Sequence, residues 1–374
     1  MSSYRTSRER STVGKACGSV FDIPSDPVLR LAAWAGLAAA ASVGAMLAAV
    51  VVLRIQLLLR GSHERRLTVR WRPVLAQCVD GVPANIPRIA RNDHYFVLRL
   101  WNYHHALMRG EAGEHLNALL RHTGLADAAL RVLQRGNMQH RLLAIMTLGN
   151  LREKHLLHAF RRLADEPSPF ISLAAAQALL QTDPVASLSW LLIRIGRRED
   201  WPLTRVSSML RELGPDIVSS PLAEALQTAA AAADAEVQVP RIIKLLELAH
   251  PAVAAPAVRS AIALAGDNIA VLASCVRALA DPRDRELACS YVRHPAWQVR
   301  VTAVIALRRF AAPEDRKLLV DMLSDPHRWV RHSAAETLLA LPFVTVSDLR
   351  KIQRILPDRY AVDTLREAIA EQAA

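Results

Sequence analysis

The residues best suited to metal chemistry are four histidines in one short stretch of the chain: His104, His105, His115 and His122. Successive helical residues point about 100° apart, so His104 and His105 diverge. His115 and His122 share a helix face, but no cysteine or acid completes the ligand set of a zinc site. We predict no metal here and expect these histidines at the surface or in a capping region.

No catalytic motif accompanies the histidines. The chain has no glycine-rich phosphate loop, no His-Glu-x-x-His and no Gly-x-Ser-x-Gly sequence. Glu111 and Glu114 share one helix face, where acids commonly complement the helix dipole or face solvent. We therefore predict no catalytic residue, no cofactor and a protein that is not an enzyme.

The composition favours helices over strands. Apolar residues make up 52% of the 374 residues and aromatic residues only 5%. The apolar total is mostly alanine and leucine, which are strong helix formers, whereas β-branched and aromatic residues are scarce. So apolar a composition excludes a disordered chain. Only 14 glycines and 20 prolines exclude a collagen-like one.

Charge and cysteine content bear on the environment of the protein. The formal net charge is +12, which implies attraction to a membrane surface, an acidic protein or nucleic acid. Four cysteines are too few for a disulfide scaffold and lack metal-ligand spacing, which indicates a reducing compartment. They are Cys17, Cys78, Cys275 and Cys289.

One uncharged stretch, residues 31–53, has the length of a membrane span. As a helix it would extend about 34 Å, and the hydrocarbon core of a bilayer is about 30 Å thick. Arg30 and Arg54 bracket it and can reach the headgroups. The less favoured alternative is a cleaved signal peptide, whose apolar core is usually shorter. With residues 31–53 as a transmembrane helix, we expect residues 1–30 to form a flexible N-terminal leader.

The distribution of basic residues predicts the orientation of this span. Six arginines lie in the twenty positions after it, against Lys15 and Arg30 in the twenty before it. Basic residues concentrate on the cytoplasmic side, so we predict an inner-membrane protein whose C-terminal part is cytoplasmic. When the whole leader is counted, five basic residues lie before the span and six after it, so the difference is small. Residues 54–72 would lie against the inner leaflet.

The rest of the chain is repetitive. Residues 294–307 and 325–338 share a Pro-x-x-x-Val-Arg pattern displaced by 31 positions. Asp325 is a candidate N-cap, with Pro326 in the first helical turn. One helix face would carry Val330, Ala334, Thr337 and Leu338. A second helix follows in each unit, at 313–323 and 347–356.

Weaker copies of this pattern extend the array towards the N-terminus. Equivalent positions occur at 140, 171, 204, 239, 271, 299 and 330, with gaps of 28 to 35 residues. A two-helix unit of this period is typical of a solenoid. We predict an all-α fold, an α-solenoid over residues 136–356 preceded by one transmembrane helix.

The repeats resemble HEAT repeats, specifically the short bacterial form with an Asp-Pro start and a Val-Arg step. The resemblance implies a right-handed superhelix with a concave surface that usually binds protein, and it carries no catalytic residues. The Trp-Asn-Tyr-His-His run at 101–105 and the Arg109-Gly-Glu111 sequence look like those of bacterial membrane-anchored HEAT proteins of surface-polysaccharide glycosyltransferase systems.

Residues 54–135 are expected to form a basic juxtamembrane segment and a helical cap, interrupted at Pro73 and at 81–87. Three cap helices are predicted, at 95–108, 113–123 and 125–134. In the first, Phe96, Leu100, Tyr103 and Leu107 would lie on one face. Residues 357–374 would form a C-terminal helix or cap.

Two sets of side chains are candidates for partner binding. Trp297 and Trp329 follow the proline of their units by two or three positions, and we expect them at equivalent, exposed places. Trp101 and Tyr103 of the cap are the other candidates, because aromatic residues dominate binding hot spots. Arg300 and Arg331 would form a ladder with Arg141 and Arg205, most simply by pairing with loop carboxylates such as Asp281 or Asp325 of an adjacent unit.

These observations favour a non-enzymatic, membrane-anchored scaffold that holds a protein partner, with a membrane glycosyltransferase or its regulator as the specific candidate. A bilin-lyase-like HEAT enzyme subunit is one alternative. A basic nucleic-acid-binding solenoid is another, which a membrane anchor next to the domain disfavours.

Overall fold

The computed structural model describes residues 27–108 and 110–373. Cys17 and most of the predicted leader, residues 1–26, therefore lie outside the described residues. Within that part there are nineteen α-helices and four short 3-10 helices, and no strand. The boundary between two compact units lies between Pro73 and Val74. The all-α prediction is confirmed.

Helix α1 (Pro27–Gln77) is 51 residues long and contains the predicted span. From Trp34 onwards it is long and apolar enough to cross a membrane, and none of its most apolar window is buried. The predicted interruption at Pro73 is wrong, because the helix continues to Gln77. A proline inside a helix removes one N–H hydrogen bond and its ring clashes with the carbonyl four residues earlier, but the burial of Val74 and Leu75, which follow it, favours continuation of the helix.

Three helices precede the repeats: α2 (His94–Leu107), α3 (Glu111–His122) and α4 (Leu125–Arg135). The face of α2 that carries Phe96, Leu100, Tyr103 and Leu107 is not the face that the fold buries most. Tyr103 and Leu107 are exposed, whereas Val97, Leu98 and Trp101 are buried. The helix carries two apolar stripes, and contact with α4 and α5, rather than periodicity, decides which one is covered.

Seven pairs of helices follow, as the period predicts. They are α5 (Met138–Leu151) with α6 (Leu157–Ala164), α7 (Pro169–Thr182) with α8 (Pro184–Arg197), α9 (Leu203–Arg211) with α10 (Pro215–Ala230), α11 (Ala235–Leu246) with α12 (Pro251–Leu264), α13 (Ile269–Arg277) with α14 (Arg285–Tyr291), α15 (Trp297–Leu307) with α16 (Arg316–Met322), and α17 (Arg328–Ala340) with α18 (Val346–Ile355). The last helix is α19 (Arg359–Ala373).

First helices of successive pairs lie side by side along much of the array. Helix α5 contacts α7, and α11, α13, α15, α17 and α19 contact one another in that order. The face predicted for α17 is confirmed, since Val330, Ala334, Thr337 and Leu338 are all buried. The small side chain of Ala334 allows the neighbouring helices to approach closely.

Helix α19 repeats the first helix of the preceding units. Pro295, Pro326 and Pro357 are each 31 residues apart. Ala361 and Leu365 of α19, which correspond to Val330 and Ala334, are completely buried. Helix α19 therefore packs as an additional first helix.

The start of α17 differs from the prediction. The helix begins at Arg328, two residues after Pro326, and His327 rather than Asp325 is its N-cap residue. Asp325 instead accepts the backbone N–H of His327 at 2.8 Å. The Asp325 carboxylate thus accepts a hydrogen bond within the turn that precedes the helix. It also accepts hydrogen bonds from Arg300 of the preceding unit.

Candidate functional site

Trp297, at the start of α15, joins two successive units. Its ring stacks on that of His327, with centroids 3.8 Å apart and planes 9° from parallel. One face of the indole is thereby covered. Trp297 is half-buried and makes a contact within the array, which leaves only part of its surface for a partner.

Trp329, at the start of α17, is 47% exposed. The guanidinium of Arg328 lies over its ring, 4.7 Å from the centroid, and His332 meets the ring edge-on. The expectation that Trp297 and Trp329 occupy equivalent places is wrong. When the units are aligned on their prolines, Trp329 corresponds to Gln298 and Trp297 to Arg328.

The true equivalent of Trp329 in the next helix is Tyr360, 31 residues later and 70% exposed. The Arg331 guanidinium lies 5.6 Å from the Tyr360 ring centroid. We name the surface formed by Arg328, Trp329, Arg331, Arg359 and Tyr360 the C-terminal edge. It combines aromatic rings with guanidinium groups, the residue types that are most enriched at binding hot spots.

The two cap candidates separate. Trp101 is 1% exposed, and its indole N–H donates to the Leu116 carbonyl at 2.9 Å. It is a core residue, so its assignment as a binding residue is wrong. Tyr103 is 63% exposed and lies edge-on to His104. The structure places Tyr103 in the cap rather than with the aromatic residues of the last units.

The arginine ladder joins neighbouring units through carboxylates, as the simpler interpretation predicts. Arg300 donates from Nε and Nη2 to both oxygens of Asp325, at 2.8 and 2.9 Å. Further Arg–acid pairs recur between units: Arg141 with Glu166, Arg259 with Asp281 and Asp284, and Arg285 with Asp315. Arg205 instead donates to Gln177.

Arg331 is the exception at the end of the ladder. Its Nη1 donates to the Asp325 and Pro326 carbonyls, just as Arg300 Nη1 donates to those of His294 and Pro295. However, the residue that corresponds to Asp325 in the next unit is Leu356, so Arg331 has no carboxylate partner at that position. Its buried Nε has no hydrogen-bond partner among the described residues.

A polar groove that the sequence analysis missed runs across α2, α3, α5 and α7. Its volume is about 800 Å³. Its lining includes three carboxamides that we name the amide row: Asn117, Asn150 and Gln181. A sequence signal for part of it exists, because Asn150 and Gln181 occupy equivalent positions 31 residues apart. A larger cavity of about 1060 Å³ lies between α11, α12 and α13 and is lined mainly by alanine, proline and aliphatic side chains with several charged groups.

One histidine of the predicted cluster lines this groove. Burial lowers the pKa of His105, the charge of Arg152 lowers it further, and Glu114 and Asn117 act in the opposite direction. His105 is thereby kept neutral at physiological pH. Elsewhere, His104 and His115 contact the carbonyls of Leu100 and Cys78. Over the described ranges, no three His, Cys, Asp or Glu side chains converge as a metal site.

The geometry defines an α-solenoid of two-helix units whose candidate sites are surfaces rather than an enclosed centre. The HEAT-repeat family model matches residues 258–340 and 286–373. Residues 258–373, from within α12 through α19, are thus HEAT repeats. The earlier units have a similar period, but around the third unit α8 rather than α9 makes most of the contacts with α10 and α11. A comparison with curated proteins gave no match.

Proposed function

We propose that this protein is a non-enzymatic scaffold, anchored in a membrane by α1, that holds a protein partner on its HEAT array. Repeat arrays act through extended surfaces, and both candidate surfaces described above are open rather than enclosed. The proposed location is the inner membrane, with the array in the cytoplasm.

The observation that carries the proposal is the C-terminal edge. Trp329 and Tyr360 occupy the same position in consecutive first helices and are both largely exposed. Arg328 and Arg359 precede them directly, so the two helices present the same Arg-aromatic pair. Adjoining aromatic and arginine side chains are the residue types most enriched at binding hot spots. The pattern supports recognition of a partner that brings apolar surface together with acidic groups.

Helix α1 supports the membrane part of the proposal. Many apolar side chains in its N-terminal part, among them Leu47, Val51 and Leu58, are more than half exposed. In water that exposure would be unfavourable along a whole helix, whereas in lipid it removes apolar area from solvent. We propose a partner in the same membrane, with a glycosyltransferase of a polysaccharide system, or its regulator, as the specific candidate.

Affinity capture from detergent-solubilised membranes tests the function. The full-length chain should retain a membrane-protein partner that is lost from the W329A/Y360A variant. The control is Tyr103→Ala, because Tyr103 is equally exposed but lies in the cap. Both variants should keep the helicity and melting temperature of the parent. A set of captured proteins that is the same for the parent and for W329A/Y360A would contradict the assignment of the C-terminal edge.

A further inference from the structure

We propose that the groove lined by the amide row binds an extended polypeptide segment through the segment's backbone. This site is separate from the C-terminal edge and does not depend on it. Three features of the groove support the proposal: the spacing of its carboxamides, the hydrogen-bonding groups that the fold leaves free, and a strained arginine.

The amide row is built by consecutive helices. Asn117 on α3 donates to the Asn150 carbonyl on α5 at 3.3 Å. Gln181 lies on α7, where α5 and α7 approach so closely that a Cβ on Gly149 would be 2.8 Å from Gln181 Oε1. Packed helices are about 8–10 Å apart, so the row presents one carboxamide for about every three residues of extended chain. Across the three helices it would accommodate about six residues.

The carboxamides that line the groove, which include Gln177 beside the amide row, use some of their donors and acceptors within the fold. Their remaining donors and acceptors are available to a ligand. Asn150 Nδ2 donates to Asn102 Oδ1, which leaves Asn150 Oδ1 as an acceptor. Gln177 Oε1 accepts from Arg205, which leaves its N–H groups as donors. The Gln181 carboxamide makes no hydrogen bond to the described residues, so both its oxygen acceptor and its N–H donors are available. A peptide backbone supplies one donor and one acceptor per residue, which matches this alternation.

Arg152 provides an independent indication of a binding role. It ends α5 in the left-handed region at φ 57°, the only non-glycine residue with positive φ in the part of the chain that the structure describes. Glycine takes this conformation without steric cost, and strained non-glycine residues cluster at ligand sites. The Arg152 side chain lines the groove and makes no hydrogen bond to the described residues. An arginine here therefore sacrifices local stability and supplies a guanidinium to the groove.

The charge of the groove favours a polypeptide over a phosphate-rich ligand. Besides Arg152, the charged side chains among its described lining residues are Glu114 and Glu212, and His105 is neutral. Acids therefore outnumber bases among the described lining residues, which offer no cluster of positive charge to nucleic acid or to an anionic headgroup. The lining combines hydrogen-bonding amides with the apolar side chains of Ala106, Met146 and Ala174. A polypeptide can use both, because its backbone pairs with amides and some of its side chains can contact the apolar residues.

Selection from a random nonapeptide phage library tests the proposal, with the full-length protein held in lipid nanodiscs. Affinities of the selected peptides, synthesised with a fluorophore, would then be measured by anisotropy. Loss of one hydrogen bond corresponds to about tenfold in affinity. We therefore expect Gln181→Leu and Asn150→Leu each to weaken binding about tenfold. Gln298→Leu, an exposed amide on α15, and W329A/Y360A should leave it unchanged.

Two further arms separate binding from folding. Methylation of backbone nitrogens in the centre of a selected peptide should abolish its binding, because the proposed contacts are to the backbone. Arg152→Gly should raise the melting temperature and yet weaken binding, whereas a purely structural arginine would show only a stability change. Asn150 bonds to Asn102, so melting curves accompany that variant, and Gln181→Leu keeps the test independent of it.

The proposal is overturned if the library yields no binder, or if the binders are insensitive to Gln181→Leu and to backbone methylation. It is also overturned if soluble oligosaccharides, screened in parallel, bind in a manner that Gln181→Leu abolishes while peptides do not. Either result leaves the scaffold role of the C-terminal edge standing, because that role is tested by different variants.

Discussion

Arg300 and Asp325 form a bidentate ion pair that joins two successive repeat units, with the Asp325 side chain only 4% exposed. The same carboxylate also accepts the backbone N–H of His327. One acid thus links the arginine of one unit to the turn that opens the next. Where the array ends, Arg331 occupies the position of Arg300 but finds Leu356 in place of the aspartate.

This pairing predicts unequal effects for two equivalent arginines. Arg300→Met should lower the free energy of unfolding by about 3–5 kcal/mol, because it leaves the buried Asp325 charge without its partner. Arg331→Met removes the same kind of hydrogen bonds to carbonyls but leaves no carboxylate without its partner. The free energy of unfolding should therefore fall by less in Arg331→Met than in Arg300→Met. Urea denaturation of both variants measures the difference. Equal losses would show that the ion pair does not stabilise the contact between units.

Asp315 predicts a specific dependence of stability on pH. Burial acts to raise its pKa, but hydrogen bonds from Arg285 and the Ala312 N–H outweigh burial and hold the pKa below its usual value. A depressed pKa contributes stability above the unfolded-state value near 4, and this contribution is lost as the pH falls through the folded-state pKa. The gap in stability between the parent and Asp315→Asn should therefore be full at pH 7 and should shrink below about pH 4. Asp321→Asn, at an exposed position, is the matched control for the removal of one carboxylate.

Gly149 marks the closest approach of α5 to α7. A Cβ there would lie 2.8 Å from Ala178 Cβ and 3.0 Å from Ala178 Cα, so the helices must separate. Gly149→Ala should cost about 1–3 kcal/mol in unfolding free energy. In Gly113→Ala the nearest atoms are 3.9 and 4.0 Å away, and helix propensity should make that change neutral or stabilising. Chemical denaturation of the pair compares them directly, and a neutral Gly149→Ala would contradict the close packing.

The orientation proposed for α1 predicts the behaviour of reporter fusions. With six arginines in the twenty positions after residue 53, a reporter fused after Ala374 should be active only if it works in the cytoplasm. A reporter that needs export should be inactive at the same position. Activity of the exported reporter would reverse the proposed topology.

Repetition was readable from the sequence alone because each unit must bury its own hydrophobic face against the next. Pro295 and Pro326, Val299 and Val330, and the alanines at the helix contact recur for that reason, and together they predict seven helix pairs. The uncharged stretch 31–53 stands out equally, since length and apolarity are one-dimensional properties.

The tertiary structure alone decided which surfaces remain open. Trp101 and Tyr103 are two positions apart on one helix, and only the packing of α2 against α4 and α5 buries the first and exposes the second. The groove brings Asn117, Asn150 and Gln181 together from three helices; the repeat period relates Asn150 to Gln181, but only the packing places Asn117 of the cap beside them. Burial and convergence depend on what neighbouring helices cover, and that information lies in the contacts between units.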